Sequence, residues 1–228
     1  MGMTMTFVVP ASGATGALSA KSPAKILALT SAAMIKAGSF HYDQSASLGG
    51  SVVIALSTDS STNEGTQRQT LNGAVETTRL IGSSLYIYAS KKAYADDFGV
   101  KNSTLANEWV LVPRGNKNYV NISTAILLPS VMNQMFNVTK VSVTGRATVN
   151  GVKVVTLKAV ESGSSASGAG SETMYVSEVA PYRPIGVIIT GKEGGSTVTS
   201  EIKFSKWGEK LSIQRPTTFV TATSKTFP

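Results

Sequence analysis

Hydrophobic and polar residues alternate with a period of two over most of this chain. The clearest stretch is residues 141–159, VSVTGRATVNGVKVVTLKA, which predicts two strands joined at Asn150-Gly151. Asn-Gly is the pair that most readily takes the two positive φ angles of a type I′ turn. Val141 and Val143 alternate with polar residues before the turn, and Val155, Leu157 and Ala159 alternate with Thr156 and Lys158 after it. One face of this hairpin is built to be covered and the other to be wetted.

The same period recurs on both sides. A strand begins at Phe40-His41-Tyr42, and Val52, Ile54 and Leu56 alternate after Gly49-Gly50. Residues 57–65 are polar and predict a turn-rich connection. Residues 67–80 predict a weaker pair of strands broken at Asn72-Gly73. Leu85-Tyr86-Ile87-Tyr88 puts its aliphatic residues on one face and its tyrosines on the other. Residues 108–112, EWVLV, predict another strand, ended by Pro113. After the central hairpin come a strand over 173–179 containing Met174-Tyr175-Val176, and a hairpin of 185–190 with 198–205 over Gly194-Gly195. In that hairpin Val198, Ile202 and Phe204 face in. Trp207-Gly208 then turns the chain into a last strand, 210–214, stopped by Pro216.

Elsewhere the period lengthens. Ser22-Pro23 opens a helix, Ser as N-cap and Pro at the first helical position, and Gly38 follows its end near Ala37. Ile26, Leu29, Ala33 and Ala37 share one face, and Leu27 and Met34 widen it. Residues 91–107 have no clean period and predict a loop with a helical turn at 94–98. Residues 123–136, STAILLPSVMNQMF, are the most apolar stretch. Pro129 is not tolerated deep inside a helix, so a short turn over 124–128 and a helix over 129–136 are expected. Residues 161–171 form an exposed Ser/Gly/Ala linker.

The order helix, strands, helix, strands, with short turns between strands, gives an α+β fold. It is a curved antiparallel half-barrel sheet of about ten strands with a few helices packed on its concave face. Residues 1–20 are expected as a flexible leader or the remnant of an export signal, 21–216 as a single domain, and 217–228 as a polar tail.

Composition narrows the function classes. Of 228 residues, 42% are hydrophobic and 15% charged, where a soluble domain carries roughly 25% charged residues. Ser, Thr, Asn and Gly make up the difference, as in many exported β-rich proteins. The net charge is +8, spread along the chain with one adjacent basic pair, Lys91-Lys92. That spread lacks the clustered bases and interleaved aromatics of a nucleic-acid interface and leaves only loose attraction to an anionic membrane surface. With no cysteine there is no disulfide, thiolate site or cysteine nucleophile. The single histidine, His41, lies in a strand, with no acid placed to orient a His–Ser pair. Asp96-Asp97 lacks the ligand spacing of a calcium loop. No catalytic residue, metal site or cofactor is expected.

What stands out is the supply of apolar side chains: Ile126, Leu127, Leu128, Val131, Met132, Met135 and Phe136 between two blocks of sheet. They either fill an ordinary core or line a cavity inside a curled sheet, and methionine adapts to ligands of varied shape.

The chain resembles the actinobacterial envelope lipoproteins of the LppX/LprG type, which share a fold with the LolA and LolB lipoprotein carriers. The resemblance covers about residues 23–216. It rests on the first helix running into Gly38-Ser39-Phe40-His41-Tyr42, on Ser84-Leu85-Tyr86-Ile87, on Glu108-Trp109-Val110 and on Val143-Thr144-Gly145 through Asn150-Gly151-Val152-Lys153-Val154. It continues through Met174-Tyr175-Val176 with Pro184 and ends on Phe204-Ser205-Lys206-Trp207-Gly208 with Pro216. It implies a non-enzymatic, exported carrier of the cell envelope. A hydrophobic cavity between sheet and helices would hold the acyl chains of a lipid or lipoglycan, and an envelope transport protein would be a possible partner. The lipobox cysteine of that family has no counterpart among these residues, so membrane anchoring is not carried over. The family's cavity residues form no fixed motif. The candidates therefore come from the pattern: Val52, Ile54, Leu56, Leu85, Ile87, Ile126, Leu127, Val131, Met132, Met135, Phe136, Met174 and Val176. Two other expectations stand beside the carrier. One is a structural or partner-binding envelope protein with a closed core. The other is a hydrolase using His41 and Asp97.

Overall fold

The computed structural model describes residues 7–8, 18–100, 104–161 and 170–223. The chain enters through β1 (Phe7–Val8) and α1 (Pro23–Ala37). A run of hairpins follows: β2 (Ser39–Leu48), β3 (Ser51–Ser61), β4 (Gly65–Leu71), β5 (Ala74–Ile81) and β6 (Ser84–Ala89). Next come α2 (Lys91–Phe98), β7 (Trp109–Val112), α3 (Tyr119–Ala125) and α4 (Leu128–Phe136). A second run holds β8 (Val138–Val149), β9 (Val152–Glu161), β10 (Ser171–Ser177), β11 (Pro184–Glu193) and β12 (Ser196–Ser205), and β13 (Val220–Thr221) ends it.

The thirteen strands of the described residues form one sheet, ordered β1-β8-β9-β10-β11-β12-β2-β3-β4-β5-β6-β7-β13. Two blocks of consecutive antiparallel strands, β2–β7 and β8–β12, meet at the β12–β2 ladder, where Phe204 pairs with Tyr42 and Val198 with Leu48. The expected half-barrel of about ten strands thus has eleven longer strands and a two-residue strand at each edge. Four hairpins turn on two positive-φ residues, Gly49-Gly50, Asn72-Gly73, Asn150-Gly151 and Gly194-Gly195, the geometry that matches strand twist. From β7 near one edge, α3 and α4 carry the chain over the sheet to β8 near the other edge.

The first helix is capped as its sequence requires. Ser22 Oγ accepts from the Lys25 N–H at 3.4 Å, and Gly38, at φ 75°, donates to the Met34 and Ile35 carbonyls. Its buried face is Ile26, Thr30, Ala33 and Met34, a slightly rotated version of the expected stripe. Pro129 sits in the first turn of α4, where no N–H is needed.

Several expectations change. Residues 57–61 continue β3 instead of turning, because their polar side chains find hydrogen-bond partners in the sheet and at the α3–α4 junction; Thr58 and Ser60 are fully buried. Residues 119–125 form α3, and 91–98 form a full helix capped by Ser90 Oγ, which accepts from Ala93 N–H at 3.2 Å. Residues 210–214 pair with no strand among the described residues. They belong instead to a strap over the outer face. Ser39 Oγ donates to the Glu209 carbonyl at 2.6 Å, and Arg79 Nη1 donates to the Gln214 carbonyl at 2.8 Å. The Arg215 guanidinium and the Phe219 ring then cover Tyr86, and β13 pairs in parallel with β7. Tyr86 is therefore buried, not wetted. At the other terminus β1 pairs with Val149 and Thr148, Leu18 is buried in the core, and Arg146 hydrogen-bonds Ser19. Most of the expected linker, 162–169, lies outside the described residues.

Candidate functional site

Side chains that pair across a ladder share a face, so the register lays out the inner face, the one the helices cover. It has three zones.

Over β9–β12 the inner face is largely apolar, with buried Glu172 and Ser200 as its polar positions. Leu157, Met174, Val187 and Ile202 stand side by side on four neighbouring strands, with Val155 and Val176 in the next row. Alpha-helix α1 lays Ile26 and Met34 on them, and α4 lays Leu128, Val131, Met132 and Met135. These residues, with Phe40, Tyr42 and Phe204, are buried in one cluster. Phe204 stacks on Trp207, with ring centroids 5.8 Å apart. Over β5–β7 a second apolar cluster joins Leu80, Leu85, Ile87, Val110 and Val112 to Ala93 and Tyr94 of α2 and to Ile126.

Between them, over β2–β5, the inner face is polar. One row runs Gln44, Leu56, Gln69, Glu76; the next runs Tyr42, Thr58, Gln67, Thr78. The second row is closed by its own bonds: Gln67 Nε2 donates to Thr58 Oγ1 at 3.1 Å, and the Tyr42 hydroxyl bonds Thr58 and Gln67. Burial raises the Tyr42 phenol above its ordinary range, and those two bonds partly offset it. Thr78 Oγ1 donates to Glu76 Oε1 at 2.7 Å. Burial pushes the Glu76 carboxyl upward; the Thr78 hydroxyl opposes this and the Asp97 carboxylate adds to it. Gln44 Nε2 donates to Ser200 Oγ at 2.9 Å. Ile54, Leu56, Gln67, Gln69 and Leu71 remain half-buried, whereas Leu157, Met174 and Val187 on one side and Leu85, Ile87 and Val110 on the other are fully buried.

The junction of α3 and α4 is pinned to this polar floor. Ser60 Oγ donates to the Ile126 carbonyl at 2.9 Å, and a Cβ on Gly65 would meet that same oxygen at 2.9 Å.

The structure divides the thirteen candidate residues. Val131, Met132, Met135, Met174 and Val176 come together in the first cluster, with Leu56 and Phe136 half-buried against it. Leu85, Ile87 and Ile126 join the second, with Leu127 against it. Ile54 is half-buried on the floor between. Val52 lies elsewhere: it is 67% exposed. Ala46 pairs with Ile54 but Ser47 pairs with Val52, so one extra residue bulges at Val53 and turns Val52 to the other face. The polar floor was not anticipated. Its signal is residues 65–71, GTQRQTL, a strand with hydrogen-bonding side chains on both faces in mid-sheet.

His41 also differs from expectation. Asp59 Oδ1 lies 2.7 Å from its Nδ1, and Asp43 Oδ1 and Ser57 Oγ lie 3.3 and 3.5 Å from its Nε2. An acid is therefore placed to orient it. The group sits on the outer face, beside a groove of about 150 Å³ under the strap. Asp97 is far from it in the fold, on α2, and lines a separate cavity of about 260 Å³ with Phe98, Lys117 and Ile122. The two residues named for a hydrolase are not brought together. A third cavity, about 360 Å³, opens beside Asn133, Phe136 and Asn137 at the end of α4. Among the described residues no cluster of three metal-ligating side chains occurs, and no helix is long and apolar enough to cross a membrane.

No family model matches the sequence, and no curated protein matches it. Solved structures do match. The lipoprotein LppX of Mycobacterium tuberculosis superposes with a TM-score of 0.51 at 15% identity, over 85% of this chain and 100% of that one. LprF of Mycobacterium bovis superposes with a TM-score of 0.50 at 14% identity, over 86% of this chain and 99% of that one. The chain has the half-barrel fold of LppX and LprF, as its sequence resemblance implies.

Proposed function

We propose that the protein is a non-enzymatic lipid carrier of the cell envelope that holds acyl chains between the helices and the inner face of the sheet. The observation that carries this reading is the half-buried inner face of β3 and β4, in the middle of a sheet otherwise covered by helices. Ile54, Leu56 and Leu71 offer apolar contact there, and the first cluster, with four methionines in Met34, Met132, Met135 and Met174, adjoins it through Leu56. Methionine side chains rearrange at low cost, so α4 can shift to admit a chain. The lipoprotein LppX with this fold is consistent with an exported protein acting at a membrane surface.

The test is native mass spectrometry of the purified protein, then organic extraction. A stoichiometric adduct of acyl-lipid mass is expected, and Met132→Trp should reduce lipid uptake while the fold survives. Failure to load any of several long-chain lipids by titration would sink the carrier reading.

A second reading, a closed core serving a structural or partner-binding role, is favoured by the burial of Val131, Met132, Met135, Met174 and Val176. Under it, Met132→Trp overpacks the interior, lowers stability by about 1–3 kcal/mol and changes no lipid signal. The one variant therefore separates the two.

A further inference from the structure

We infer that the polar floor over β2–β5 is a recognition strip for an uncharged, hydroxyl-bearing part of the ligand, and that it discriminates against phosphate. The inference rests on the carrier reading and names the chemistry that reading leaves open.

The strip sits where two apolar zones meet. A ligand whose chains enter the first cluster passes over Leu56, and its polar portion then lies against Gln44, Gln69 and Glu76. Those side chains project from one row on neighbouring strands, which are about 4.8 Å apart. The row therefore spans roughly 14 Å, enough to meet several hydroxyls in succession.

Its hydrogen-bonding capacity is only partly used. The second row satisfies itself through Tyr42, Thr58 and Gln67. The first row does not. Gln44 spends its amide N–H on Ser200, and Glu76 accepts from Thr78 through one oxygen. The half-exposed Gln69 amide has no hydrogen-bond partner among the described residues. A primary amide offers a carbonyl acceptor and two N–H donors, so the row presents donors and acceptors together. A hydroxyl group, itself donor and acceptor, is the complement of such a surface. An aliphatic chain alone would leave these groups unpaired.

Charge supplies the second half of the argument. Every inner-face position on these strands is uncharged or acidic: Phe40, Tyr42, Gln44 and Ala46 on β2, Ile54, Leu56, Thr58 and Ser60 on β3, then Gly65, Gln67, Gln69 and Leu71, and Ala74, Glu76, Thr78 and Leu80. The cations of this region, Arg68 and Arg79, stand on the opposite face; Arg79 lies 4.4 Å over the Trp109 ring. A phosphate placed on the strip would lose water, gain no cation from these strands and face the Glu76 carboxyl. An uncharged sugar or polyol meets none of these costs.

The test is competitive loading, read by native mass spectrometry. Two lipids carry identical dioleoyl chains, one a monogalactosyl diacylglycerol and the other phosphatidic acid. The protein's net charge of +8 favours the anionic lipid by general attraction, so preference for the neutral one has to come from a local site. The wild-type protein is expected to load the galactolipid about tenfold over phosphatidic acid, the size of one or two net hydrogen bonds. Gln44→Leu with Gln69→Leu should bring that ratio down to about twofold. Gln69→Lys, which places a cation on the strip, should reverse the preference toward phosphatidic acid. Equal loading of both lipids by the wild type, or a ratio that both variants leave unchanged, overturns the strip and leaves the carrier reading standing. Failure of both lipids to load overturns the carrier reading as well.

Discussion

One side chain and one missing side chain decide how the helices meet the sheet. The Ile126 carbonyl, at the end of α3, accepts the Ser60 hydroxyl and rests on Gly65. Adding a Cβ at Gly65 brings it within 2.9 Å of that oxygen and 3.1 Å of the Asp59 carbonyl, and neither backbone atom is free to move. Gly65→Ala is expected to lower stability by about 1–3 kcal/mol, as overpacking does. Ser60→Ala, which strands a buried carbonyl, should cost about 1–3 kcal/mol. Chemical denaturation checks both; a Gly65→Ala protein as stable as wild type would show that the junction is not seated there. Glu76 makes a pH prediction. Its folded-state carboxyl is raised chiefly by burial, so the folded protein holds that proton at pH values where the unfolded chain releases it. Stability from this group is intact below the ordinary glutamate range of about 4.3 and is lost as pH climbs toward the raised value. Glu76→Gln keeps the acceptor for Thr78 and removes the ionisation. Its melting temperature relative to wild type should rise between about pH 4 and pH 7. A difference that is flat with pH would remove Glu76 from the account.

At the scale of the element, the sequence carried the strands well wherever a turn fixed the register. Asn72-Gly73, Asn150-Gly151 and Gly194-Gly195 all lie where their dihedral preferences place them, and Ser22-Pro23 and Gly38 bound the first helix as written. Less legible were features set by non-local contacts. Residues 57–61 are too polar to look like a buried strand, yet Thr58 and Ser60 are buried because Gln67, Tyr42 and the Ile126 carbonyl, all distant in sequence, satisfy their hydroxyls. Val52 is part of an unbroken alternation, and a single bulge at Val53, which alternation cannot announce, reverses it. Tyr86 has the pattern of a wetted residue and is covered by a segment more than a hundred positions later. For the same reason the apolar half of the candidate site was legible and the polar half was not. Aliphatic side chains advertise burial individually, whereas Gln44, Gln69 and Glu76 become neighbours only through the register of four strands.

The whole molecule is two strand blocks closed by three long connections: the α3–α4 crossing on the inner face, the strap on the outer face and the central β12–β2 ladder. The blocks differ in what they can do alone. The first, β2–β7, is continuous in sequence and carries its own apolar cluster with α2. Its strand β2, however, pairs with β3 on one side and, on the other, with a strand that comes at residues 196–205. A chain ending at residue 195 is therefore expected to aggregate through β2, while the full chain stays dispersed; light scattering of the two compares them, and a well-behaved truncated chain would disprove it. The β12–β2 ladder also bears on timing. During synthesis the open edge of β2 emerges long before its partner, so the vulnerable interval lasts while roughly 150 residues are made, about 8–30 s at ordinary elongation rates. A protein so arranged gains from being held unfolded until it is complete, and a sequence poor in strongly apolar residues around β2, SFHYDQSASL, lessens the hazard while it waits.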